Sequence, residues 1–433
     1  MKLIRNSVLL LLLCVAAGFA LLAAAYALPT SAMQDECYES VHVFTPEERV
    51  DRDPITGHSQ ANFTDALFLL EAAYQGEEPR LNQAAANYFR ATPGLFNGRF
   101  EKTEGLIFFG EEYVNPAKTM VDLYVYEADS IRVSYSRYWH GYLVFLKPLL
   151  CLFNYTQIRL LWFAAETLLT AVAIFLFYKK ERRALLPFLL MLLLMAPSCV
   201  ARSLQYCSTY VLMLAGTILV LWSEKEKLYP YLFLVLGILS AYLDLLTAPS
   251  ISLTVPLCVL CLRKGSGREI GLKQLCLYVV LWGAGYGGMW AAKWVLAWLW
   301  QGQAFLGDLF GAVSTRASSA VGESEVSRME MLRFNLEELF SVSWVNLPVI
   351  AYAAAAPLLG LANRKKGERF DALRAGKLCV PFLFPLVWLL VLCNHSYIHS
   401  HFTFRILAPC VFALLLALTP AGNPAGGTTK SAA

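Results

Sequence analysis

Hydrophobic and polar positions along this chain are strongly segregated. An apolar run at residues 8–28 gives way to about 110 polar residues, and a near-continuous series of apolar segments then extends from 157 to 420. Roughly 20 apolar residues in a helix cross the hydrocarbon of a bilayer. The pattern predicts nine further spans, near 157–178, 184–200, 205–222, 229–247, 250–262, 275–299, 343–362, 377–394 and 405–420, which with the first make ten. The fold class expected is therefore all-α, a polytopic transmembrane helix bundle of about ten spans with a large exterior loop domain after the first. The domains read as a signal-anchor helix at 1–28, an exterior loop domain at 29–156 with a surface helix at 138–153, transmembrane helices at 157–299, an exterior amphipathic loop at 300–342, transmembrane helices at 343–420 and a disordered tail at 421–433.

Composition agrees, since 57% hydrophobic and 16% charged residues leave too little polar surface to disperse a soluble chain. Lys2 and Arg5 precede the first run, and the small residues Ala23 to Ala27 near its end would also suit a signal peptide; an uncleaved anchor fits the length better. With the amino terminus cytoplasmic, the loops holding Lys179 to Arg183, Glu224 to Lys227, Arg263 to Lys273 and Arg364 to Lys377 all fall on the cytoplasmic side. That distribution satisfies the positive-inside rule and predicts a multi-pass protein of the cell membrane. Residues 29–138 carry eighteen Asp plus Glu against nine Lys plus Arg, so the exterior loop is strongly acidic. Tyr138 to Phe153 is apolar enough to cross, but crossing would put Lys179 to Arg183 outside, so it reads as a surface helix interrupted by Lys147 and Pro148.

Most of the eleven cysteines fall inside predicted spans, and only Cys37 is clearly exterior, so no disulfide framework is expected. Sequons occur at Asn62, Asn154 and Asn394. Gly283-Ala-Gly-Tyr-Gly-Gly288 lies in a helix rather than after a strand, which excludes a nucleotide-binding loop and predicts close helix packing.

Candidate chemistry concentrates on the exterior side. Thr64 reads as the amino-terminal cap of a helix with Asp65 in its first turn, where an acid complements the helix dipole. Ser136-Arg137-Tyr138-Trp139-His140-Gly141 sets a cation, two interfacial aromatics and an imidazole at the start of the surface helix, and Arg137 and His140 suit a phosphate headgroup. All six histidines fall on the exterior. Three of them, His395, His399 and His401, share one segment whose spacing lacks a local carboxylate, so they read as polar or ligand-facing groups rather than as a metal site. Glu166, Asp244 and Lys293 lie within predicted spans and must face a cavity or one another. Asp244 and Lys293 form a candidate ion pair, and Asp244 also suits the floor of an outward-facing site.

Thr64-Asp65-Ala-Leu-Phe-Leu-Leu-Glu-Ala, followed by Tyr138-Trp-His-Gly-Tyr-Leu, Leu152-Phe153-Asn154 and Arg159, resembles the acidic loop helix and surface helix of the GT-C superfamily of integral membrane glycosyltransferases. The order of parts is similar over nearly the whole chain, which also resembles bacterial membrane proteins of the same plan. The resemblance implies transfer of a sugar from a polyprenyl-phosphate carrier to an acceptor hydroxyl on the outer face. The catalytic base implied is Asp65 or, nearer the first span where the family places its acid, Asp35. Arg137, Arg202, Lys293 and Arg405 are the implied phosphate ligands, with His140, His395 and His399 orienting sugar or phosphate and Asp244 lining the substrate site. The loop at 300–342, with Arg316, Glu323, Arg328 and Arg333, reads as a lid. Partners implied are a lipid-linked sugar donor and membrane lipids, with no nucleic acid; the cofactor is open, a divalent cation being the candidate. A transporter or flippase using Glu166, Asp244 and Lys293, and a noncatalytic cell-envelope assembly protein, are the alternative function classes.

Overall fold

The computed structural model describes residues 1–44, 52–60, 62–92, 107–108, 115–223, 225–262, 270–322, 324–362 and 371–420. Helix dominates. The first apolar run forms α1 (Lys2–Ala25), which ends ahead of Pro29. The polar stretch then forms α2 (Thr30–Ser40), α3 (Asn62–Ala72), α4 (Arg80–Ala86), α5 (Pro116–Tyr124) and α6 (Leu143–Leu150). It also contains a small sheet in the order β1-β3-β2, built from β1 (Tyr88–Ala91), β2 (Ile107–Phe108) and β3 (Ile131–Ser134). Strand β3 pairs antiparallel with β1 and parallel with β2, an addition to the expected all-α plan.

The apolar series follows as α7 (Tyr155–Lys180), α8 (Arg182–Leu194), α9 (Pro197–Val200), α10 (Leu204–Trp222), α11 (Tyr229–Leu243), α12 (Ile251–Leu262) and α13 (Leu272–Gln301). Next come α14 (Gln303–Ala317), the hairpin β4 (Ala320–Val321) and β5 (Ser324–Glu325), and α15 (Arg328–Leu339). The chain closes through α16 (Ser343–Ala362), α17 (Ala372–Val391), α18 (Cys393–Ile398), α19 (Ser400–Thr403) and α20 (Ala408–Leu418). Asn154 starts α7 with a capping box, its side chain accepting from the Gln157 amide while Gln157 reaches back.

Seven helices among the described residues are long and apolar enough to cross a membrane, or eight if α15 and α16, bent by 99°, act as one broken span. Ten were expected, and the shortfall has local causes. The run at 184–200 breaks where Ala196 turns left-handed (φ 52°) ahead of Pro197, leaving α8 with 13 residues, about 20 Å and so too short to cross alone. The run at 250–262 gives only the 12-residue α12. The expected surface helix at 138–153 shrinks to α6, because His140 is held left-handed (φ 55°) and the chain turns before helix begins. Several basic loop residues and the tail from 421 lie outside the described residues.

One apolar core runs through α7 to α13 and α15 to α20, and a second, formed by α2 to α6 with β1 and β3, packs on the ends of α1, α7 and α10. The glycine-rich run works as expected at only some of its positions. A Cβ on Gly285 would collide with the Leu234 carbonyl of α11, and one on Gly237 of α11 with the Trp282 carbonyl of α13, so these helices meet backbone to backbone. Gly283 and Gly287 face open space. Helix α1 belongs to the same bundle, the Tyr242 hydroxyl of α11 donating to its Gly18 carbonyl at 2.7 Å.

Candidate functional site

The structure places two of the expected site residues, Asp65 and Lys293, where they join the segment 30–151 to the bundle at helix ends. Asp65 is fully buried, and four donors converge on its carboxylate: the Tyr155 hydroxyl at 2.5 Å, the Ser203 hydroxyl at 3.3 Å, and the Leu204 and Gln205 amides at 2.8 and 2.9 Å. Those two amides open α10, so Asp65 is an anion at a helix amino terminus. Burial pushes its carboxyl up; the Tyr155 hydroxyl, the two amides and the Arg159 charge offset only part of that. With about four lone-pair positions on a carboxylate, all occupied, Asp65 has none left for a substrate proton. Asp35, the other expected base, is exposed on α2.

The cations follow the same rule with the sign reversed. Lys293 donates to the Ala84 and Ala85 carbonyls at 3.3 and 2.8 Å, the carboxyl end of α4, and to the Asn87 amide oxygen. Lys147 donates to the Ala72 carbonyl that ends α3, and burial brings its ammonium down to about 8. The expected ion pair between Lys293 and Asp244 is not made: Lys293 is spent on α4. His140 has no exposed surface for a headgroup; its Nδ1 lies 2.7 Å from Glu71 Oε2 and 2.8 Å from the Tyr142 hydroxyl, and its Nε2 lies 2.7 Å from the Tyr135 carbonyl. Since that carbonyl can only accept, Nε2 carries a proton. The Tyr142 hydroxyl donates to Glu71 at 2.6 Å, so Glu71 and His140 hold one further proton between Oε2 and Nδ1. Tyr138 and Trp139 are buried, not interfacial, the indole donating to the Met289 carbonyl at 2.7 Å.

Arg137 pairs with Asp308 of α14 at 3.1 Å; burial pushes the Asp308 carboxyl up while Arg137 and Arg316 pull it back. His395 Nε2 meets the Leu246 carbonyl at 3.0 Å, and the His395, His399 and His401 rings form a chain with Phe402 at centroid separations of 4.6 to 6.0 Å. Asp244 caps the carboxyl end of α11, taking the Thr247 amide on Oδ2 at 2.9 Å. Among the described residues no group of three or more His, Cys, Asp or Glu is arranged to hold a metal ion.

The remaining two, Arg202 and Arg405, come together in a cluster with residues that sequence reasoning did not single out. Asp53 lies on a tight turn, its Oδ2 accepting from the Thr56 amide at 2.8 Å, the Thr56 hydroxyl at 2.6 Å and the Ser198 hydroxyl at 2.8 Å. Its Oδ1 is buried with no hydrogen-bond donor, 4.0 Å from the Arg202 guanidinium. Arg405 is 2% exposed, lies over the rings of Tyr206 and Phe404 at 4.3 and 4.5 Å, and donates through Nε to the Met195 carbonyl that ends α8. Its Nη2 has no partner. His58 stacks on Phe404 at 4.6 Å and meets Glu338 of α15 through Nδ1 at 3.1 Å. The Ser59 carbonyl accepts from Tyr206 at 3.2 Å, and both amide atoms of the neighbouring Gln60 are buried and unpartnered. Arg202, 39% exposed, and Glu338, 33% exposed, connect the cluster to the surface.

This arrangement can bind an anion through two guanidiniums, accept a proton on a carboxylate oxygen left free, and hydrogen-bond hydroxyls through an amide. Its signal in the sequence is slight. Asp53-Pro-Ile-Thr-Gly57 reads as a turn, and only the arginines and the exterior position of His58 stood out. Comparison with protein-family models, curated proteins and solved structures finds no match to this chain.

Proposed function

We propose that the chain is an integral membrane glycosyltransferase of the GT-C plan, moving a sugar from a polyprenyl-phosphate carrier to an acceptor hydroxyl on the outer face of the cell membrane, its amino terminus in the cytoplasm. The observation that carries this reading is a buried carboxylate oxygen without a hydrogen-bond donor, Asp53 Oδ1, 4.0 Å from the Arg202 guanidinium, with the Arg405 guanidinium over Tyr206 in the same cluster, at the start of the membrane-length α10. In the reaction the acceptor oxygen bonds to the anomeric carbon as the bond from that carbon to the phosphate oxygen breaks. Asp53 Oδ1 takes the acceptor's proton, and Arg202 and Arg405 Nη2 hold the departing lipid phosphate as its charge grows. The Gln60 amide binds sugar hydroxyls, and Glu338 fixes the ring of His58 beside them. Asp65, saturated by donors, is a positioning residue in this scheme.

Native mass spectrometry of the protein in mild detergent tests the reading. A co-purifying polyprenyl phosphate or its sugar conjugate, lost from Arg202→Ala and retained by Asp53→Asn, is the expected result. Only bulk phospholipid in all three proteins would overturn it and favour the transporter or scaffold classes.

A further inference from the structure

Helices α14 and α15, on either side of the hairpin of β4 and β5, each leave an apolar stripe exposed. The buried face of α15 carries Met331, Asn335 and Leu339. Asn335 fixes it in place, donating to the Ser396 carbonyl at 2.8 Å and accepting from the Thr403 hydroxyl at 2.7 Å. On another face Met329, Leu336 and Phe340 recur at helical spacing and are 73, 40 and 37% exposed. Arg333 and Glu337 pair with each other at 3.5 Å on the remaining, polar side. Helix α14 is built alike: Phe305 and Leu309 pack on Ala297 of α13, while Phe310 and Val313 on its flank stay exposed.

The directions of the helices say what covers these stripes. Helix α16 has 20 residues, about 30 Å, which matches the hydrocarbon of a bilayer, and exposes Trp344, Leu347 and Ile350 along its length. Helix α15 meets it at 99°. A crossing helix tilts by about 20° from the membrane normal, so α15 lies within about 30° of the membrane plane. Its stripe ends at Phe340, one helical turn before Trp344, and thus runs into the lipid-facing side of α16. Helix α14 is held at a matching level. The chain turns at Gly302 (φ 67°), and contact with Ala297 brings α14 back beside the last turns of α13, where Trp298 and Trp300 are exposed in the manner of an interfacial aromatic belt.

We propose that α14 and α15 lie in the interface between lipid and water, their stripes immersed in one leaflet and their polar sides in solvent, so that the partner of this surface is the phospholipid bilayer itself. The proposal rests on α13 and α16 crossing the membrane and not on sugar transfer. Its consequence is a fixed height for the Asp53 cluster, because Glu338 of α15 meets His58 at 3.1 Å and so holds the cluster at the level of the headgroups.

Photocrosslinking tests it. The full chain carrying one p-benzoylphenylalanine is reconstituted in vesicles of phosphatidylethanolamine and phosphatidylglycerol, irradiated, and weighed intact by mass spectrometry. Leu336→p-benzoylphenylalanine and the same substitution at Phe310 should each gain the mass of one phospholipid, as should that at Leu347, which reports the span α16. The substitutions at Thr315 and Glu337, on the polar sides, should gain none. All five positions are exposed, so the bulky side chain displaces no core residue. Lipid adducts at Leu347 but not at Leu336 and Phe310 would overturn the inference while leaving the span intact. No adduct at Leu347 would remove the span and the inference with it. Crosslinks from Leu336 and Phe310 to a second copy of the chain would overturn it in favour of a dimer interface, and adducts equally strong at Thr315 and Glu337 would overturn the one-sided immersion.

Discussion

Replacing Asp65 by alanine separates a helix anchor from a catalytic base. Four donors converge on this carboxylate, and two of them, the Leu204 and Gln205 amides, cannot turn away because they open α10. Leaving a buried donor without an acceptor costs ~1–3 kcal/mol. The Tyr155 and Ser203 hydroxyls can rotate, and removing a desolvated charge returns part of the loss, because burial already outweighs the donors and pushes the carboxyl up. The expected net destabilisation is ~3 kcal/mol for Asp65→Ala and about half of that for Asp65→Asn, which keeps one acceptor oxygen.

Tryptophan fluorescence during denaturant unfolding in detergent reads these losses, with bound lipid measured on the same samples. The pH dependence has a defined sign. A carboxyl raised on folding makes the native state hold the extra proton, so its contribution to stability falls as pH climbs from the ordinary carboxylate range through the raised value. Asp65→Asn should lack that part of the slope. An Asp65→Asn protein with the unfolding curve of the wild type and no glycosyl transfer would refute the anchor and restore Asp65 as the base.

Three further outcomes follow from the packing. Gly285→Ala should cost ~1–3 kcal/mol through overpacking against the Leu234 carbonyl, whereas Gly283→Ala, facing open space, should stabilise by up to ~1 kcal/mol through helix propensity; equal effects on the unfolding midpoint would contradict the backbone contact of α11 and α13. The Lys147 ammonium, brought down to about 8 by burial, makes the unfolded chain bind the extra proton between there and the ordinary lysine value near 10.5, so stability should rise with pH across that window by roughly 3 kcal/mol. Lys147→Met should flatten that rise, and an unchanged slope would refute the assignment. Glu71→Gln and His140→Gln should each destabilise by ~3 kcal/mol but together by less than the sum, a coupling of at least ~1 kcal/mol in a double-mutant cycle; strict additivity would mean that no proton is shared.

The sequence carried the long helices, because twenty apolar residues admit few other structures in lipid, and it placed the close contact in the glycine-rich run. It misjudged the short ones. A left-handed Ala196 before Pro197 and a left-handed His140 are local backbone choices, the second accompanied by the imidazole's bonds to the Tyr135 carbonyl and to Glu71 of α3. Glu166, Asp244 and Lys293 were expected to face a cavity or one another; all three are buried, and Lys293 finds its partner in α4, some 200 residues earlier, rather than in Asp244. Asp53 stayed hidden for the same reason, since its significance depends on Ser198, Arg202 and Arg405, while its own neighbourhood shows only a turn.

Burial alone therefore does not mark a functional charge in this fold. Asp65, Lys147 and Lys293 are as deeply enclosed as Asp53 and Arg405, yet each is spent on backbone groups at the end of a helix and has the sign that end favours. The charges of Asp65 and Lys293 fasten the segment after α1 to the bundle and that of Lys147 ties α6 to α3 within the segment, so a ligand could approach them only by undoing those attachments. Arg405 does both jobs: Nε closes α8 while Nη2 remains unspent. Capacity left over after the structural demand is met is what separates Asp53 Oδ1, Arg405 Nη2 and the Gln60 amide from their neighbours.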